Sequence, residues 1–205
     1  ISVNPQTMKQ ETLDIIGRRH TVEQTKNAFH LAREAGFDNI NMDLIVGLPG
    51  EDITKVQHTL DEVKALGPDS LTVHSLAVKR AARLNIFRDQ YQEMTFENNQ
   101  EIMNLTMKTA YEMGMGPYYL YRQKNMKGNF ENVGYAKVDK AGIYNILIME
   151  EKQPIIALGA GGSSKLVFDH GQRIERVENV KDVTNYISRI DEMIERKRTG
   201  IEKWL

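Results

Sequence analysis

An acidic residue interrupts an apolar segment that has the pattern of a β-strand. Asp43 lies in residues 39–46, where Ile40, Met42 and Leu44 alternate with other side chains. A carboxylate buried in such a strand is costly unless it is paired or faces a polar ligand. The segment therefore has two interpretations. Asp43 is either a core residue that accepts hydrogen bonds from nearby amides, or an acceptor for the ribose hydroxyls of a nucleotide, as in dinucleotide-binding folds.

Three further segments have residue types that suit anionic or aromatic ligands. The turns at residues 47–51 (GLPGE) and 159–165 (GAGGSSK) are rich in glycine, but neither has the spacing of a phosphate-binding P-loop. A plain strand–helix connection and a tight turn are the simpler interpretations of these two segments. Residues 118–125 (YYLYRQKN) interleave tyrosines with basic residues, which suits either a half-exposed strand or a site for an anionic aromatic ligand. The five histidines have no metal-ligand spacing.

Alternating strands and helices must position these residues in the first half of the chain. Hydrophobic periodicity and turn residues predict strands at 1–3, 39–46 and 70–76, with helices at 7–17, 21–35 and 53–66. Such a β-α-β-α-β order allows parallel pairing, in either a doubly wound sheet or part of a (β/α) barrel. In both folds ligands bind at the carboxyl ends of the strands, which here places Gln6 and Asp43 at one edge.

The pattern changes near residue 80, which predicts one domain at 1–80 and a second at 81–205. The second half has a long helix at 96–113 and an amphipathic final helix at 180–197. Apolar runs between these helices predict several strands, at 118–122, 143–150, 155–158, 165–168 and 173–177.

Composition excludes several classes of function. With 27 basic and 28 acidic residues, the formal net charge of −1 gives no reason to expect nucleic acid as a partner, and no apolar run is long enough to span a membrane. The absence of cysteine excludes disulfides, thiolate metal sites and cluster ligands within these residues, and is compatible with a cytoplasmic protein. The chain starts with Ile1 as though inside a strand, which suggests a fragment.

Several segments, taken in order, resemble the coproporphyrinogen III dehydrogenase branch of the radical S-adenosylmethionine (SAM) enzymes, which act without oxygen. The resemblance covers essentially the whole chain, and its segments at 121–125 and 131–135 are similar to the paralogue of this family in Gram-positive bacteria. Its motifs are SVNPQ at 2–6, GRRHT at 17–21, AGFDNINMDLIVGLPG at 35–50, YRQKN at 121–125, ENVGY at 131–135 and LGAGGSS at 158–164.

The resemblance implies an α/β fold, namely the C-terminal half of an open (β/α)6 radical SAM barrel followed by a smaller mixed α+β domain. It also implies SAM and a [4Fe–4S] cluster as cofactors. In that family a SAM-derived radical abstracts hydrogen from a propionate of the porphyrinogen, which is then decarboxylated in haem biosynthesis. An external electron donor to the cluster and the porphyrinogen are the implied partners. The cluster-binding CxxxCxxC segment is missing here, so these residues alone are expected to be inactive.

The resemblance also assigns roles to individual residues. Gln6 and Arg18 match residues that contact SAM, with Arg18 on its carboxylate. Asp43 matches the ribose-binding aspartate, while Ile45 and Ala77 match positions beside the adenine. SVNPQ departs from the family's SxGVQ, so the backbone before Gln6 is expected to differ.

The remaining roles are less defined at the level of the sequence. We expect Arg122 and Lys124 to bind the substrate, because coproporphyrinogen has propionates around an apolar macrocycle. The chain reveals neither a catalytic residue nor a metal ligand. Two alternatives stay open, a non-catalytic haem-binding chaperone of the same family and an unrelated nucleotide-binding barrel.

Overall fold

The chain forms two compact units, residues 1–142 and 143–205. A computed structural model describes residues 1–77, 97–122 and 130–204. The domain boundary predicted after residue 80 lies outside the described residues. Two strands that follow this boundary, at residues 116–121 and 132–136, are part of the sheet of the first unit. The division into domains 1–80 and 81–205 stays a prediction.

A five-stranded sheet organises the first unit. The strands are β1 (Ser2–Gln6), β2 (Asn41–Val46), β3 (Ser70–Ser75), β4 (Gly116–Tyr121) and β5 (Asn132–Ala136). Their order in the sheet is β1-β2-β3-β5-β4. β1, β2 and β3 are parallel, whereas β5 is antiparallel to both β3 and β4. The predicted parallel β-α-β-α-β arrangement is therefore confirmed, and β4 runs in the same direction as the first three strands.

Local sequence signals set the ends of the helices in this unit. The helices are α1 (Gln10–Ile15), α2 (Val22–Glu34), α3 (Ile53–Leu66) and α4 (Gln100–Glu112). Thr21 and Gln24 form the predicted capping box at the start of α2. The Asp52 carboxylate accepts the backbone N–H groups of Thr54 and Lys55 at the start of α3. α3 ends at Gly67, whose φ of 70° is readily adopted by glycine.

The hydrophobic core lies between the helices and one face of the sheet. Met42, Leu44 and Val46 point into it from β2, and Leu71 and Val73 from β3. The helices contribute Phe29, Val56, Leu60, Val63, Ile102 and Ala110. Burying each large aliphatic or aromatic side chain stabilises the fold by about 1.5–3 kcal/mol.

β1 is longer than the sequence predicted. The strand runs through Asn4 and Pro5, and its register on β2 shifts between Val3 and Gln6. Since β1 has only one neighbour in this sheet, the missing N–H of Pro5 does not break the ladder. The prediction of a strand at 1–3 ended by Asn4 and Pro5 was wrong in its end point.

Residues 143–204 of the second unit form a two-stranded antiparallel sheet, three α-helices and a short 3-10 helix at Asp169–Gly171. Its elements are α5 (Ile143–Met149), β6 (Ser163–Phe168), β7 (Arg173–Glu178), α6 (Val183–Ser188) and α7 (Ile190–Trp204). α7 crosses the sheet at Gly200, where an added Cβ would lie 2.8 Å from Val177 Cγ2.

Three sequence predictions in this unit were wrong. Residues 143–150 form a helix instead of a strand, because a short continuous apolar run suits either element. Residues 155–158 make only an isolated bridge, between Ile155 and Lys165. The final helix is divided into α6 and α7. In the first unit, β5 was not predicted at all, because it is short and has a glycine at its centre.

No helix in residues 1–77, 97–122 and 130–204 has the length and apolar character needed to cross a membrane.

A buried carboxylate joins three elements of the first unit. Asp69 Oδ2 accepts the Ile40 N–H at 2.9 Å and lies 2.6 Å from Arg33 Nη1, while Lys137 Nζ lies 3.8 Å from Oδ1. Burial alone would raise the pKa of Asp69, but the hydrogen bonds from Arg33 and Ile40 and the charges of Arg33 and Lys137 together lower the pKa.

We predict that Asp69→Asn destabilises the protein by about 1–3 kcal/mol at pH 7. Because the folded pKa is lowered, the stabilisation is present above the unfolded value of about 3.9 and is lost as the pH falls through the folded pKa. Urea unfolding of the two proteins should therefore show a difference in stability that narrows below about pH 4. Asp61→Asn, on the exposed side of α3, is the control. A difference for Asp69→Asn that stays constant down to pH 3 would contradict this account.

Candidate functional site

The side chains of β2 alternate between the core and the opposite face of the sheet. Met42, Leu44 and Val46 are buried, whereas Asn41, Asp43 and Ile45 are half-buried. β1, β3, β4 and β5 contribute to the same opposite face, which is called the polar face below. It carries Ser2, Asn4, Asn41, Asp43, Ile45, Thr72, His74, Tyr119 and Gly134. Asp43 therefore does not lie in the core.

Hydrogen bonds hold Asp43 in place on the polar face. Asn41 Nδ2 donates to Asp43 Oδ1 at 2.7 Å, and Ser2 Oγ lies 3.4 Å from Asp43 Oδ2. Asn41 also contacts Ser2 Oγ at 2.9 Å and accepts from Thr72 Oγ1 at 3.1 Å. The amide of Asn41 thus links β1, β2 and β3. An ionised carboxylate has about four lone-pair sites, so these two bonds leave acceptor capacity for a ligand.

Gln6 lies at the carboxyl end of β1, where the backbone is unusual. It is paired in register with Leu44, which follows Asp43. Its φ of 67° is uncommon for a residue with a side chain, and such conformations concentrate at functional sites. The motif SVNPQ, which departs from the family's SxGVQ, contains both Gln6 with this φ and the register shift between Val3 and Gln6.

The other expected nucleotide contacts lie near this edge of the sheet. Arg18 is exposed after α1, and its Nη2 donates to the Asn4 carbonyl at 3.1 Å. Ile45 is paired with His74, and the Leu76 N–H donates to the Val46 carbonyl at 3.0 Å. Ala77 directly follows, so the ends of β2 and β3 are adjacent. Gln6 and Ala77 thus lie at the carboxyl ends of β1 and β3, Ile45 lies near the same end of β2, Asp43 lies in the middle of β2, and Arg18 is near the end of β1.

A buried acid connects the loops that follow β1 and β2. The Thr7 hydroxyl donates to Glu51 Oε1 at 2.6 Å and lies 3.1 Å from Thr59 Oγ1. Glu51 is only 2% exposed, and its burial raises its pKa, although hydrogen bonds from Thr7 and Thr12 oppose the rise. The segment at 47–51 therefore does more than connect β2 to α3. Its Glu51 carboxylate accepts a hydrogen bond from Thr7 and so stabilises the turn next to Gln6. The sequence signal for this role was the acidic residue at the end of GLPGE.

Tyr119 reaches the polar face because its neighbour on β5 is a glycine. A Cβ added at Gly134 would lie 2.1 Å from Tyr119 Cε1, so the ring lies directly against the backbone there. Gly134 is paired with Tyr119 on one side and with Thr72 on the other. Burial raises the pKa of Tyr119, an effect that the Thr72 hydroxyl opposes and the charge of Asp43 reinforces.

His74 occupies the polar face next to these residues. Burial lowers its pKa, and the negative charge of Asp43 partly opposes this effect. The imidazole is therefore neutral at pH 7, with one nitrogen that donates and one that accepts a hydrogen bond. From the sequence, His74 was considered only as a metal ligand. The alternation of side chains along β3, which places His74 on the same face of the sheet as Asp43, was not used.

Arg122, one of the two expected substrate ligands, follows the carboxyl end of β4. Because β4 runs parallel to β1–β3, Arg122 lies at the same edge of the sheet as the ends of those strands. It forms an exposed ion pair with Glu131. Lys124, the second expected ligand, lies outside the described residues.

Backbone groups of the glycine-rich segment at 159–165 form hydrogen bonds within the second unit. The Gly161 N–H donates to the Val180 carbonyl at 2.8 Å, and the Gly159 N–H donates to the Tyr186 hydroxyl at 3.2 Å. Asn179 Nδ2 in turn donates to the Gly159 carbonyl at 2.7 Å. The segment is a tight turn, as the simpler interpretation held.

Metal ligands do not cluster in the part of the chain that the structure describes. Residues 1–77, 97–122 and 130–204 contain no group of three or more histidine, aspartate or glutamate side chains that could hold a metal ion. The whole sequence lacks cysteine.

Comparison with known proteins identifies relatives along the whole chain. Residues 1–63 match the model of the radical SAM superfamily. The chain is 44% identical over 203 residues to the oxygen-independent coproporphyrinogen-III oxidase-like protein HemZ of Bacillus subtilis, covering 99% of this chain and 40% of that protein. It is 24% identical over 209 residues to the heme chaperone HemW of Lactococcus lactis, covering 99% of this chain and 51% of that protein.

A solved structure has the same fold. The coproporphyrinogen III oxidase HemN from Escherichia coli, a radical SAM enzyme, superposes with a TM-score of 0.67 at 20% identity, over 93% of this chain and 43% of that one. The chain thus spans about half or less of the length of these relatives. The predicted α/β fold is confirmed, and its five-stranded sheet is open as predicted. Residues 1–63 thus match the radical SAM superfamily, and the chain is similar over 99% of its length to an oxygen-independent coproporphyrinogen oxidase-like protein.

Proposed function

We propose that this chain forms the nucleoside-binding side of a radical SAM oxidoreductase that converts coproporphyrinogen III to protoporphyrinogen IX by oxidative decarboxylation. The observation that carries the proposal is the Asp43 carboxylate. It lies half-buried in the middle of the parallel strand β2, where Oδ1 accepts from Asn41 and Oδ2 lies 3.4 Å from Ser2 Oγ, and it has acceptor capacity left. Vicinal ribose hydroxyls are donors that match such a group.

The residues around Asp43 fit the other parts of SAM. Arg18 uses one N–H for the Asn4 carbonyl, and a guanidinium has five N–H donors, so it retains donors for the amino-acid carboxylate. Gln6 lies between this end of SAM and Asp43. Ile45 and Ala77 provide an apolar residue and a small residue at the position proposed for the adenine.

When bound, SAM and a reduced [4Fe–4S] cluster supply the radical that removes hydrogen from the substrate. The 205 residues contain no cysteine for that cluster, so its ligands are proposed to come from the barrel segment that the relatives possess. The role of this chain is to bind and orient the nucleoside and to exclude water from it. An external electron donor for the cluster is part of the proposal.

The substrate is proposed to approach the same edge of the sheet. Arg122 lies there at the end of β4, and Lys124 follows two residues later. Both are proposed to bind propionates, with Arg122 exchanging its exposed partner Glu131 for the ligand. Exposed ion pairs contribute only about 0–1 kcal/mol, so this exchange costs little.

A second candidate is a haem chaperone without catalytic activity. The similarity to a heme chaperone over 99% of this chain supports it. In both candidates the same residues are proposed to bind SAM. The enzyme decarboxylates the porphyrinogen, whereas the chaperone binds haem without changing it.

We predict that Asp43→Ala weakens SAM binding by about 1–3 kcal/mol in the complete protein, because the variant leaves the ribose hydroxyls without their acceptor. Anaerobic calorimetry with reconstituted protein measures this. Asp61→Ala removes an exposed carboxylate from α3 and is the matched control. Equal SAM affinities for wild type and both variants would show that Asp43 does not bind SAM and has only a structural role.

We further predict that the isolated chain of 205 residues binds no iron–sulfur cluster, because it has no cysteine. Anaerobic reconstitution with iron and sulfide, followed by desalting, should leave no stoichiometric cluster absorbance. A cluster held by histidine or carboxylate ligands would overturn this expectation.

The proposed activity is tested by anaerobic turnover of the complete protein with coproporphyrinogen III, SAM and a reductant. We expect protoporphyrinogen IX together with 5′-deoxyadenosine. Stoichiometric haem binding without any decarboxylated product would instead support the chaperone.

A further inference from the structure

Glu51 is a buried acid that the proposed reaction does not use. It lies in the loop between β2 and α3 and is 2% exposed, and Thr7, Thr12 and Thr59 around it are buried as well. Burying a carboxylate is costly unless its oxygens accept hydrogen bonds. Apolar side chains of the same shape could fill such a space at little cost in stability. The cluster is therefore expected to specify a particular conformation.

The hydrogen bonds of this cluster run in one direction only. The Met8 N–H donates to Thr59 Oγ1 at 3.1 Å, so this hydroxyl oxygen already has a donor. The Lys9 N–H donates to Thr7 Oγ1 at 3.2 Å. Each hydroxyl has a single proton to donate, and Thr7 donates its proton to Glu51 Oε1 at 2.6 Å. The proton between Thr7 and Thr59, whose oxygens are 3.1 Å apart, therefore comes from Thr59. This hydroxyl chain runs from Thr59 through Thr7 and ends at the carboxylate of Glu51.

The hydroxyl chain holds the backbone that directly follows Gln6. Residues 7–9 separate Gln6 from the start of α1, and all three take part in the chain, through the Thr7 side chain and two backbone N–H groups. The φ of Gln6 is 67°, and such conformations persist only where the surroundings over-determine them. The pairing of Gln6 with Leu44 on β2 restrains one side of this residue, and the hydroxyl chain restrains the other.

We propose that Glu51 is a positioning residue for SAM binding. As the final acceptor of the hydroxyl chain, its carboxylate orients the hydroxyls of Thr7 and Thr59. These hydroxyls hold residues 7–9 and thereby keep Gln6 in the backbone conformation from which it contacts SAM. Glu51 itself is buried and makes no contact with SAM. This inference rests on the proposed function, because Glu51 acts through Gln6.

Variants of Thr7 test the hydroxyl chain at its middle. Thr7→Val keeps the shape of the side chain and removes the hydroxyl that donates to Glu51. We expect it to weaken SAM binding to the complete protein about fivefold, the loss of one hydrogen bond when Gln6 is no longer held. Thr7→Ser restores the hydroxyl and should restore the affinity. Anaerobic calorimetry with reconstituted protein measures both.

Thr106→Val is the matched control for Thr7→Val. Thr106 is equally buried and donates its hydroxyl to the Met103 carbonyl at 2.8 Å within α4. The control variant thus also loses a buried hydroxyl, at a place that does not hold Gln6. Its SAM affinity should equal that of the wild type.

Two variants of Glu51 separate its hydrogen bond from its charge. Glu51→Gln retains an oxygen that accepts from Thr7, and it should keep most of the SAM affinity. Glu51→Leu fills a similar space without an acceptor and should weaken SAM binding as much as Thr7→Val does. Urea unfolding of each variant measures stability separately, so that affinities are compared between folded proteins. An equal loss of affinity in the two Glu51 variants would contradict the role of the carboxylate as an acceptor.

Asp43→Ala distinguishes failure of this proposal from failure of the proposed function. Normal SAM affinity in Thr7→Val and Glu51→Leu, whatever their stability, would overturn the positioning role of Glu51. If Asp43→Ala still weakened SAM binding, the proposed nucleoside site would stand without that role. If Asp43→Ala also bound SAM normally, the nucleoside site would fail together with it.

Discussion

The alternation of β2 is the constraint on which the rest of the site depends. Every second residue, Met42, Leu44 and Val46, is buried against the helices, and this fixes Asp43 and Ile45 on the polar face. A slip of one residue in the pairing with β1 or β3 would turn Asp43 into the core and expose the aliphatic residues. The hydrophobic core therefore sets the position of the carboxylate, and the parallel register then brings Gln6 and Ala77 to the same edge.

The polar side chains that share this face depend on one another. Asn41 donates to Asp43 and contacts Ser2 while accepting from Thr72, so three strands contribute to the orientation of a single carboxylate. A half-buried acid without such partners would be destabilising. Glu51 has a similar supporting role, because its hydrogen bond from Thr7 stabilises the turn that follows Gln6. The residues proposed to bind SAM are thus supported by hydrogen bonds from side chains to which no binding role is assigned.

Elements with strong periodicity and clear caps could be predicted from the sequence. α3 was predicted at its observed bounds, and the capping box of Thr21 and Gln24 was recognised, because these signals are local. The edge with Gln6 and Asp43 followed from the order of elements. The contact of Tyr119 with Gly134 could not be predicted, because it depends on a strand pairing between residues distant in sequence and on a bulge in β4. The burial of Glu51 likewise became visible only when Thr7 and Thr59 were brought together.

The central claim is that the ribose of SAM binds to the polar face at Asp43. The most direct measurement is an anaerobic crystal structure of the complete protein with its cluster and SAM. The account predicts that the ribose hydroxyls donate to the Asp43 carboxylate, with Asn41 still bonded to its other side and the adenine beside Ile45 and Ala77. A structure in which the nucleoside lies elsewhere and Asp43 keeps only its bonds to Asn41 and Ser2 would contradict it.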